Sequence, residues 1–149
     1  MSTQHPLSQD EFDSIYSKVP RLTVEVIVKN QVGEIYLTKR AIEPCKGQWH
    51  LPGGTVRFGE PLLTAVKRIA NRELTINTKE VRLVGYIEYP SHYTNSLDSP
   101  VGIAFEVMSY EGSVDTNDEA SESGWFSKVP KMMHADQDDF LIKNHYLKG

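Results

Sequence analysis

The sequence predicts an α+β fold in which a mixed β-sheet is sandwiched between helices. Segments with strand-like alternation stand on both sides of a central segment with helical periodicity, in the order α-β-β-α-β-β-β-α. At 149 residues the chain is long enough for a single domain with a sizeable core. No internal repeat, low-complexity tract or linker interrupts it. We therefore expect one domain over residues 1–149, with an N-terminal helical segment (1–20) and a core (21–149).

The N-terminal part is predicted to be one helix followed by two strands. Ser8 and Glu11 have the spacing of a capping box, apolar residues follow at helical spacing, and Pro20 ends the run. Residues 22–28 alternate like a strand with at least one buried face, and residues 34–39 form a second strand. The turn sequence Asn-Gln-Val-Gly between them predicts a β-hairpin.

A central helix is predicted after a loop at residues 41–48 and a short apolar stretch at 49–52. Pro61 suits the first helical position, because a missing N–H costs nothing there. Apolar residues then recur at helical spacing: Leu62, Leu63, Val66, Ile69 and Ala70.

The last third of the chain is predicted to hold three strands and a final helix. Residues 81–89 and 101–108 form two strands joined by a polar hairpin loop, and Trp125 with Phe126 marks a third. Asp136 is the predicted N-cap of the last helix, whose apolar residues are Phe140, Leu141 and Tyr146.

Composition excludes several functional classes. The net charge of −4 leaves no excess of cations to neutralise nucleic-acid phosphates. No apolar run approaches the roughly 20 residues that span a bilayer, and no secretory signal is visible. The single cysteine, Cys45, cannot form an internal disulfide, so we expect a cytoplasmic protein with an ordinary loop thiol. His92 and Tyr93 are weak candidates for a ligand pocket, whereas His134 and His145 are predicted to be surface residues.

The most informative segment runs from two adjacent glycines into the central helix. Gly53 and Gly54 allow a ligand to approach the backbone closely, and the helix behind them begins near Pro61. Helix residues three and four positions apart share a face, so positions 69, 72 and 73 are predicted to form one surface patch.

The spacing of this segment resembles the Nudix box, G-x5-E-x7-R-E-U-x-E-E-x-G-U, in which U is aliphatic. Four fixed positions match: Gly54, Glu60, Arg68 and Glu73. Three others differ, because the family has Glu, Glu and Gly where this chain has Ile69, Arg72 and Thr75. The resemblance implies a Nudix-type α/β/α sandwich. It also implies structural roles for Gly54 and for a Glu60–Arg68 ion pair that holds the loop against the helix.

The departures resemble one branch of the family, the GDP-mannose mannosyl hydrolases. Of the three glutamates that the pattern places at positions 69, 72 and 73, this branch also keeps only the third, which is Glu73 here. The resemblance covers about the first half of the chain. It implies one Mg²⁺, with Mn²⁺ as a possible substitute, held by the Gly53 carbonyl, Glu73 and Glu119. It further implies that Arg40 stabilises the diphosphate leaving group as a catalytic residue and that Glu25 contacts the nucleotide.

The second half of the chain departs from that branch. Aligned on Trp125, the position of the branch's catalytic-base histidine falls on Ala120, which cannot take a proton. Glu119 or Glu122 is then the candidate base, because acids in the equivalent loop act so in other Nudix enzymes. Two further arginines are candidates for binding substrate phosphates: Arg57 in the box loop and Arg72 on the helix.

These observations predict a Nudix hydrolase acting on a nucleoside diphosphate linked to another group, with a nucleotide sugar such as GDP-mannose as one candidate. Attack at phosphorus and attack at carbon both remain open. The alternative is a non-catalytic Nudix module that binds a nucleotide or nucleotide sugar. The expected partner is a nucleotide-containing small molecule, without nucleic acid or membrane, and the resemblance adds a possible homodimer.

Overall fold

The computed structural model describes residues 5–115 and 120–149. Within these residues the helices are α1 (Gln9–Tyr16), α2 (Leu62–Leu74), α3 (Pro90–Tyr93) and α4 (Asp138–Lys143). The strands are β1 (Arg21–Val28), β2 (Ile35–Arg40), β3 (Trp49–His50), β4 (Gly53–Thr55), β5 (Asn77–Glu88), β6 (Pro100–Glu111) and β7 (Ala120–Phe126).

The strands form two sheets between helical layers. The larger sheet has the order β4-β1-β6-β5, in which β1 and β6 are parallel and the outer pairs are antiparallel. The smaller sheet, β3-β2-β7, is antiparallel throughout. The predicted α+β class with a mixed sheet is therefore confirmed, although the strands are divided between two sheets.

The predicted hairpin of the first two strands is wrong. A single bridge between Lys29 and Ile35 joins their ends, and β2 then continues into the smaller sheet. The turn itself forms, because the Asn30 side chain accepts hydrogen bonds from the N–H groups of Val32 and Glu34. β1 pairs instead with β6 along its whole length and with β4 at residues 23–25.

The helices α1 and α2 begin close to where the sequence predicts. At α1, Ser8 and Glu11 form the capping box, each side chain accepting from the backbone N–H of the other residue. At α2, Pro61 is the N-cap and not the first helical residue. The helix ends at Thr75, which adopts a left-handed conformation with φ of 58°. This position has glycine in the family pattern, which is the usual residue for such a cap.

The buried face of α2 packs against the larger sheet. Its fully buried residues are Ala65, Val66, Ile69, Ala70 and Leu74, in one cluster with apolar residues of β1 and β6. The prediction that Ile69 shares a surface patch with Arg72 and Glu73 is therefore wrong, because Ile69 is fully buried. A second cluster, which includes Leu141 of α4, lies around Ile27 and Leu37.

The last third of the chain differs in detail from the prediction. β5 and β6 are longer than expected and are joined through the helical turn α3. The N-cap of α4 is Gln137, because the Asp136 carboxylate instead accepts hydrogen bonds from the N–H and hydroxyl of Ser91. No helix in the described ranges is long and apolar enough to cross a bilayer.

Candidate active site

A cavity of about 750 Å³ opens beside the glycine pair. Its wall is built from α1, the first half of β1, the end of β2, β4, the second half of α2, the loop at 42–45, and residues near Tyr89 and His134. Six cationic side chains of the described residues line it: Arg21, Lys39, Arg40, Arg57, Arg68 and Arg72. Among the same described residues the wall carries five acidic side chains, Asp13, Glu25, Glu43, Glu73 and Asp98, so the cations exceed the acids by one in a chain whose net charge is −4.

An ion pair fixes the box loop against α2. Arg68 Nε donates to Glu60 Oε2 at 2.8 Å, and Arg68 Nη2 donates to the Thr55 carbonyl at 3.0 Å. Glu60 also accepts from the backbone N–H of Arg57 at 3.0 Å. The hydrogen bonds from Arg68 lower the pKa of Glu60. Glu60 and Arg68 therefore position the loop, and the Glu60 carboxylate is a poor proton acceptor.

Both glycines make close contacts that a side chain would prevent. A Cβ on Gly53 would collide with Glu25 Oε2, and one on Gly54 would collide with Ile69 Cδ1. Backbone hydrogen bonds of Val26 and Val56 place Gly53 at a non-hydrogen-bonded position opposite Glu25.

The strand register determines where the Gly53 carbonyl points. At a non-hydrogen-bonded position, the backbone groups of Gly53 turn away from β1. Thr55, two residues later on the same side of the strand, directs its carbonyl to Arg68 of α2. Because Arg72 and Glu73 lie one turn further along α2, the Gly53 carbonyl faces their end of the helix.

Glu73 and Arg72 form an ion pair on the cavity wall. Arg72 Nη2 donates to Glu73 Oε2 at 2.6 Å, and both side chains are largely buried. Arg72 Nε is buried and has no hydrogen-bond partner among the residues that the structure describes. An unsatisfied buried donor of this kind is costly, and an anion in the cavity would satisfy it.

Glu25 forms the floor of the cavity and is the centre of a buried polar chain. Its Oε1 accepts hydrogen bonds from Thr23 Oγ1 at 3.1 Å and from the Tyr89 hydroxyl at 2.9 Å. Gln137 donates to the same hydroxyl at 2.8 Å and accepts from the Leu51 N–H. Burial raises the pKa of Glu25 to about 7, so the carboxyl can hold a proton near neutrality.

The remaining predicted residues fall in different places. Arg40 lines the cavity and donates from Nε to the Pro44 carbonyl at 2.6 Å, and Arg57 lines it next to the box. Glu119 lies outside the described residues. Glu122 is exposed, pairs with Lys39 at 3.1 Å, and does not line the cavity. The structure therefore does not bring Glu122 to the glycine pair, where a base would act.

A histidine pair in the cavity wall beside Tyr89 was not predicted from the sequence. His134, predicted to be a surface residue, is only 5% exposed, and its Nε2 lies 3.0 Å from Nε2 of His92. Burial first, and then the charge of His92, lower the pKa of His134 to about 4. Cys45 lies beside this pair, and burial raises the pKa of its thiol. No sequence signal could have joined three residues so far apart in the chain.

The aromatic wall formed by α1 was also missed. Phe12 and Tyr16 line the cavity with their rings 4.7 Å apart, and the Arg21 guanidinium lies 5.7 Å from the centre of the Phe12 ring. None of the residues of α1 is buried. The apolar residues at helical spacing in α1 thus belong to a helix that lines a cavity.

Comparison with protein families and curated relatives gives consistent matches. The family model described as the NUDIX domain matches residues 19–142. The low-salt glycan biosynthesis protein Agl8 of Haloferax volcanii is 28% identical over 132 residues, which cover 86% of this chain and 84% of that protein. ADP-ribose pyrophosphatase of Methanocaldococcus jannaschii is 30% identical over 115 residues, covering 76% of this chain and 66% of that protein.

Two further comparisons are with a longer protein and with a solved structure. The 8-oxo-dGDP phosphatase NUDT18 of mouse is 25% identical over 108 residues, but the matched part is only 32% of that protein. A MutT NUDIX hydrolase structure from Burkholderia pseudomallei superposes with a TM-score of 0.75 at 24% identity, covering 85% of this chain and 98% of that one. At this identity the superposition shows a shared fold.

Proposed function

This chain belongs to the Nudix family, and we propose that it hydrolyses a nucleoside diphosphate linked to another group, with one bound Mg²⁺ or Mn²⁺. The proposal is supported by Gly53, Glu73 and Arg72, which line the same cavity together with several other cationic side chains. Oxygen donors for a hard cation thus stand beside arginines suited to phosphates. The ADP-ribose pyrophosphatase among the relatives acts on a substrate of this class.

The donor set fits one divalent cation and not a cluster. The Gly53 carbonyl and the Glu73 carboxylate are oxygen ligands of the kind that Mg²⁺ takes. Ile69 is fully buried and Arg72 carries positive charge, so the two other box positions offer no ligand. A bound cation would polarise the diphosphate and lower the pKa of a water molecule. The cation would compete with Arg72 for this carboxylate, whose Oε2 accepts from Arg72 Nη2.

The other residues bind and orient the substrate. Arg72, once released by Glu73, directs its guanidinium at a phosphate, and Arg40 contributes a second positive charge. Phe12 and Tyr16 offer ring faces to the nucleoside, and Glu25 offers a hydrogen-bonding carboxyl on the floor. The Agl8 relative, named for glycan biosynthesis, favours a nucleotide sugar over other substrates of the class.

A turnover screen tests this proposal. The protein is incubated with ADP-ribose, GDP-mannose and other nucleotide sugars, in Mg²⁺ and in chelator, and products are followed by chromatography. We expect metal-dependent release of nucleotide from at least one of them. Reaction in ¹⁸O-labelled water then distinguishes the mechanisms, because label in phosphate means attack at phosphorus and label in the sugar means attack at carbon.

The second candidate is a module that binds the same ligands without hydrolysing them. It is favoured by the ion pair between Arg72 and Glu73, which neutralises the box carboxylate, and by the position of Glu122 outside the cavity lining. Thermal-shift measurements on the same ligands discriminate the two functions. Ligand-dependent stabilisation with no turnover of any ligand in Mg²⁺ would establish the binding module and overturn the enzyme.

A further inference from the structure

We propose that Cys45, His92 and His134 form a second metal site, which binds Zn²⁺ or a similar transition-metal ion in the wall of the same cavity. One donor atom from each residue lies within 4.8 Å of the other two. His92 Nε2 is 3.0 Å from His134 Nε2 and 3.9 Å from Cys45 Sγ. Two imidazoles and a thiol thus converge on one point, from three distant parts of the chain.

Two of the three donor separations are close to those of a tetrahedral zinc site, and the third, from Cys45 to His134, is within 4.8 Å. Bond lengths of about 2.0–2.1 Å to nitrogen and about 2.3 Å to sulfur put the donors roughly 3.3–3.6 Å apart. The nitrogens observed at 3.0 Å would move slightly apart, and the sulfur observed at 3.9 Å would move slightly closer. Both imidazoles are nearly buried, with His92 9% and His134 5% exposed, so the ion would be held mostly by protein.

The surroundings of His92 are already those of a metal ligand. Its Nδ1 lies 2.7 Å from Asp98 Oδ1, which requires the proton on Nδ1 and leaves a lone pair on Nε2. Arg21 in turn donates twice to the Asp98 carboxylate, at 3.1 and 2.7 Å. A carboxylate that orients a histidine in this way is a typical second partner in metal sites.

His134 changes tautomer when the metal binds. Its Nδ1 accepts from the Asp136 N–H at 3.1 Å, so in the metal-free protein Nε2 carries the proton and donates it to His92. Coordination would move that proton to Nδ1, and the ring would have to turn from the Asp136 N–H toward Asp136 Oδ2, which is now 3.9 Å from Nδ1. The Cys45 thiol loses its proton to solvent as the metal–sulfur bond forms.

The donor chemistry separates this site from the box. Nitrogen and sulfur ligands select Zn²⁺, Co²⁺ or Cu⁺, whereas the oxygen donors at Gly53 and Glu73 suit Mg²⁺. Three protein ligands leave one tetrahedral position, and all three residues line the cavity. The fourth position would therefore take a water molecule or a donor atom of the cavity's ligand.

Cobalt spectroscopy tests the site without reference to turnover. Metal-free protein is titrated with Co²⁺ under reducing, oxygen-free conditions. We expect one equivalent to produce tetrahedral visible bands and a thiolate-to-cobalt charge-transfer band, which Zn²⁺ abolishes and excess Mg²⁺ does not. Because the chain has a single cysteine, Cys45→Ser must remove the charge-transfer band.

The histidine variants make the test specific. His92→Asn and His134→Asn should each weaken Co²⁺ binding at least about tenfold. His145→Asn is the matched control, because His145 is exposed, does not line the cavity, and has a φ of 66° that asparagine accommodates. Far-UV circular dichroism confirms that each variant is folded. No charge-transfer band in the wild-type protein, or an undiminished one in both cavity variants, would overturn the proposal.

Discussion

Arg72 stands where the family pattern has a metal-binding glutamate, and its charge decides what the site can bind. At 2.6 Å from Glu73 it competes with any cation for that carboxylate. Its buried Nε, without a hydrogen-bond partner in the described part of the chain, is a donor prepared for an anion. Under the proposed function, the same side chain would oppose the metal in the resting protein and favour the phosphate when substrate is present.

Replacing Arg72 with glutamine should separate these two effects. We expect Mg²⁺ to bind about tenfold more tightly, because Glu73 is no longer paired, and ADP-ribose to bind about tenfold more weakly in chelator. Isothermal titration calorimetry measures both affinities. Lys79→Gln is the control, since Lys79 pairs with Glu111 on an exposed surface and does not line the cavity. Unchanged Mg²⁺ affinity together with unchanged ligand affinity would contradict this role for Arg72.

Glu25 should make the stability of the metal-free protein depend on pH. Its pKa is about 7 in the folded state and 4.5 as the reference value, so the folded state retains a proton that the unfolded state releases. Stability is then highest below pH 4.5 and falls by about 3 kcal/mol as the pH rises through 7. Urea unfolding in chelator at pH 5 and pH 8 should show a smaller fall for Glu25→Gln. Equal falls in the variant and the wild type would show that Glu25 does not titrate in this window.

At the scale of elements, the site depends on how closely β4 approaches α2. Gly54 lies directly under the Ile69 side chain, so the strand can reach the helix only where a side chain is absent. The Glu60–Arg68 pair holds the connecting loop in the same place. These contacts fix the Gly53 carbonyl relative to the last turn of α2.

A double-mutant cycle measures the contact of these two elements. Gly54→Ala should destabilise the protein by about 1–3 kcal/mol, because its Cβ would collide with Ile69 Cδ1. In an Ile69→Val background, which lacks that methyl group, the same change should cost less by at least about 0.5 kcal/mol. Urea unfolding of the four proteins provides the values. A coupling energy near zero would mean that the collision is relieved elsewhere.

The helix α1 should contribute to ligand binding and little to stability. It buries none of its residues, yet it presents Phe12 and Tyr16 to the cavity. Phe12→Ala should therefore weaken binding of ADP-ribose about tenfold, through lost stacking, without moving the urea midpoint. Ile15→Ala, on the same helix but outside the cavity lining, is the control. Equal loss of affinity in both variants would assign the effect to the helix as a whole.

At the scale of the molecule, the two sheets and the helices that flank them create a cavity lined, among the described residues, by six cations and five acids in an acidic protein. The net charge of −4 discourages binding to nucleic acid, while the cationic wall attracts a small anion. The hard oxygen donors and the softer Cys45–His92–His134 cluster lie along the same cavity. One ligand could thus be held between two sites of different chemistry.

The fold class followed from local patterns because the box, the capping signal at Ser8 and the strand alternation all act over short distances in the sequence. The hairpin prediction failed because strand pairing depends on what occupies the edges of β1, and no local pattern encodes that. His134 and Ile69 were misassigned for a related reason, since burial is decided by elements distant in the chain. The role of Arg72 was open at the level of sequence because the direction of a side chain was unknown.

The Glu73→Gln variant tests whether hydrolysis depends on the Glu73 carboxylate as a metal ligand. Its hydrolysis of the best substrate found among ADP-ribose and the nucleotide sugars is compared with that of the wild type in Mg²⁺, alongside ligand binding. Glu122→Gln serves as the control, because its carboxylate lies outside the cavity lining. We expect Glu73→Gln to lose turnover at least about 100-fold and still to bind ligand. We expect the turnover of Glu122→Gln to change less than about twofold. Undiminished turnover by Glu73→Gln would contradict this dependence on the carboxylate.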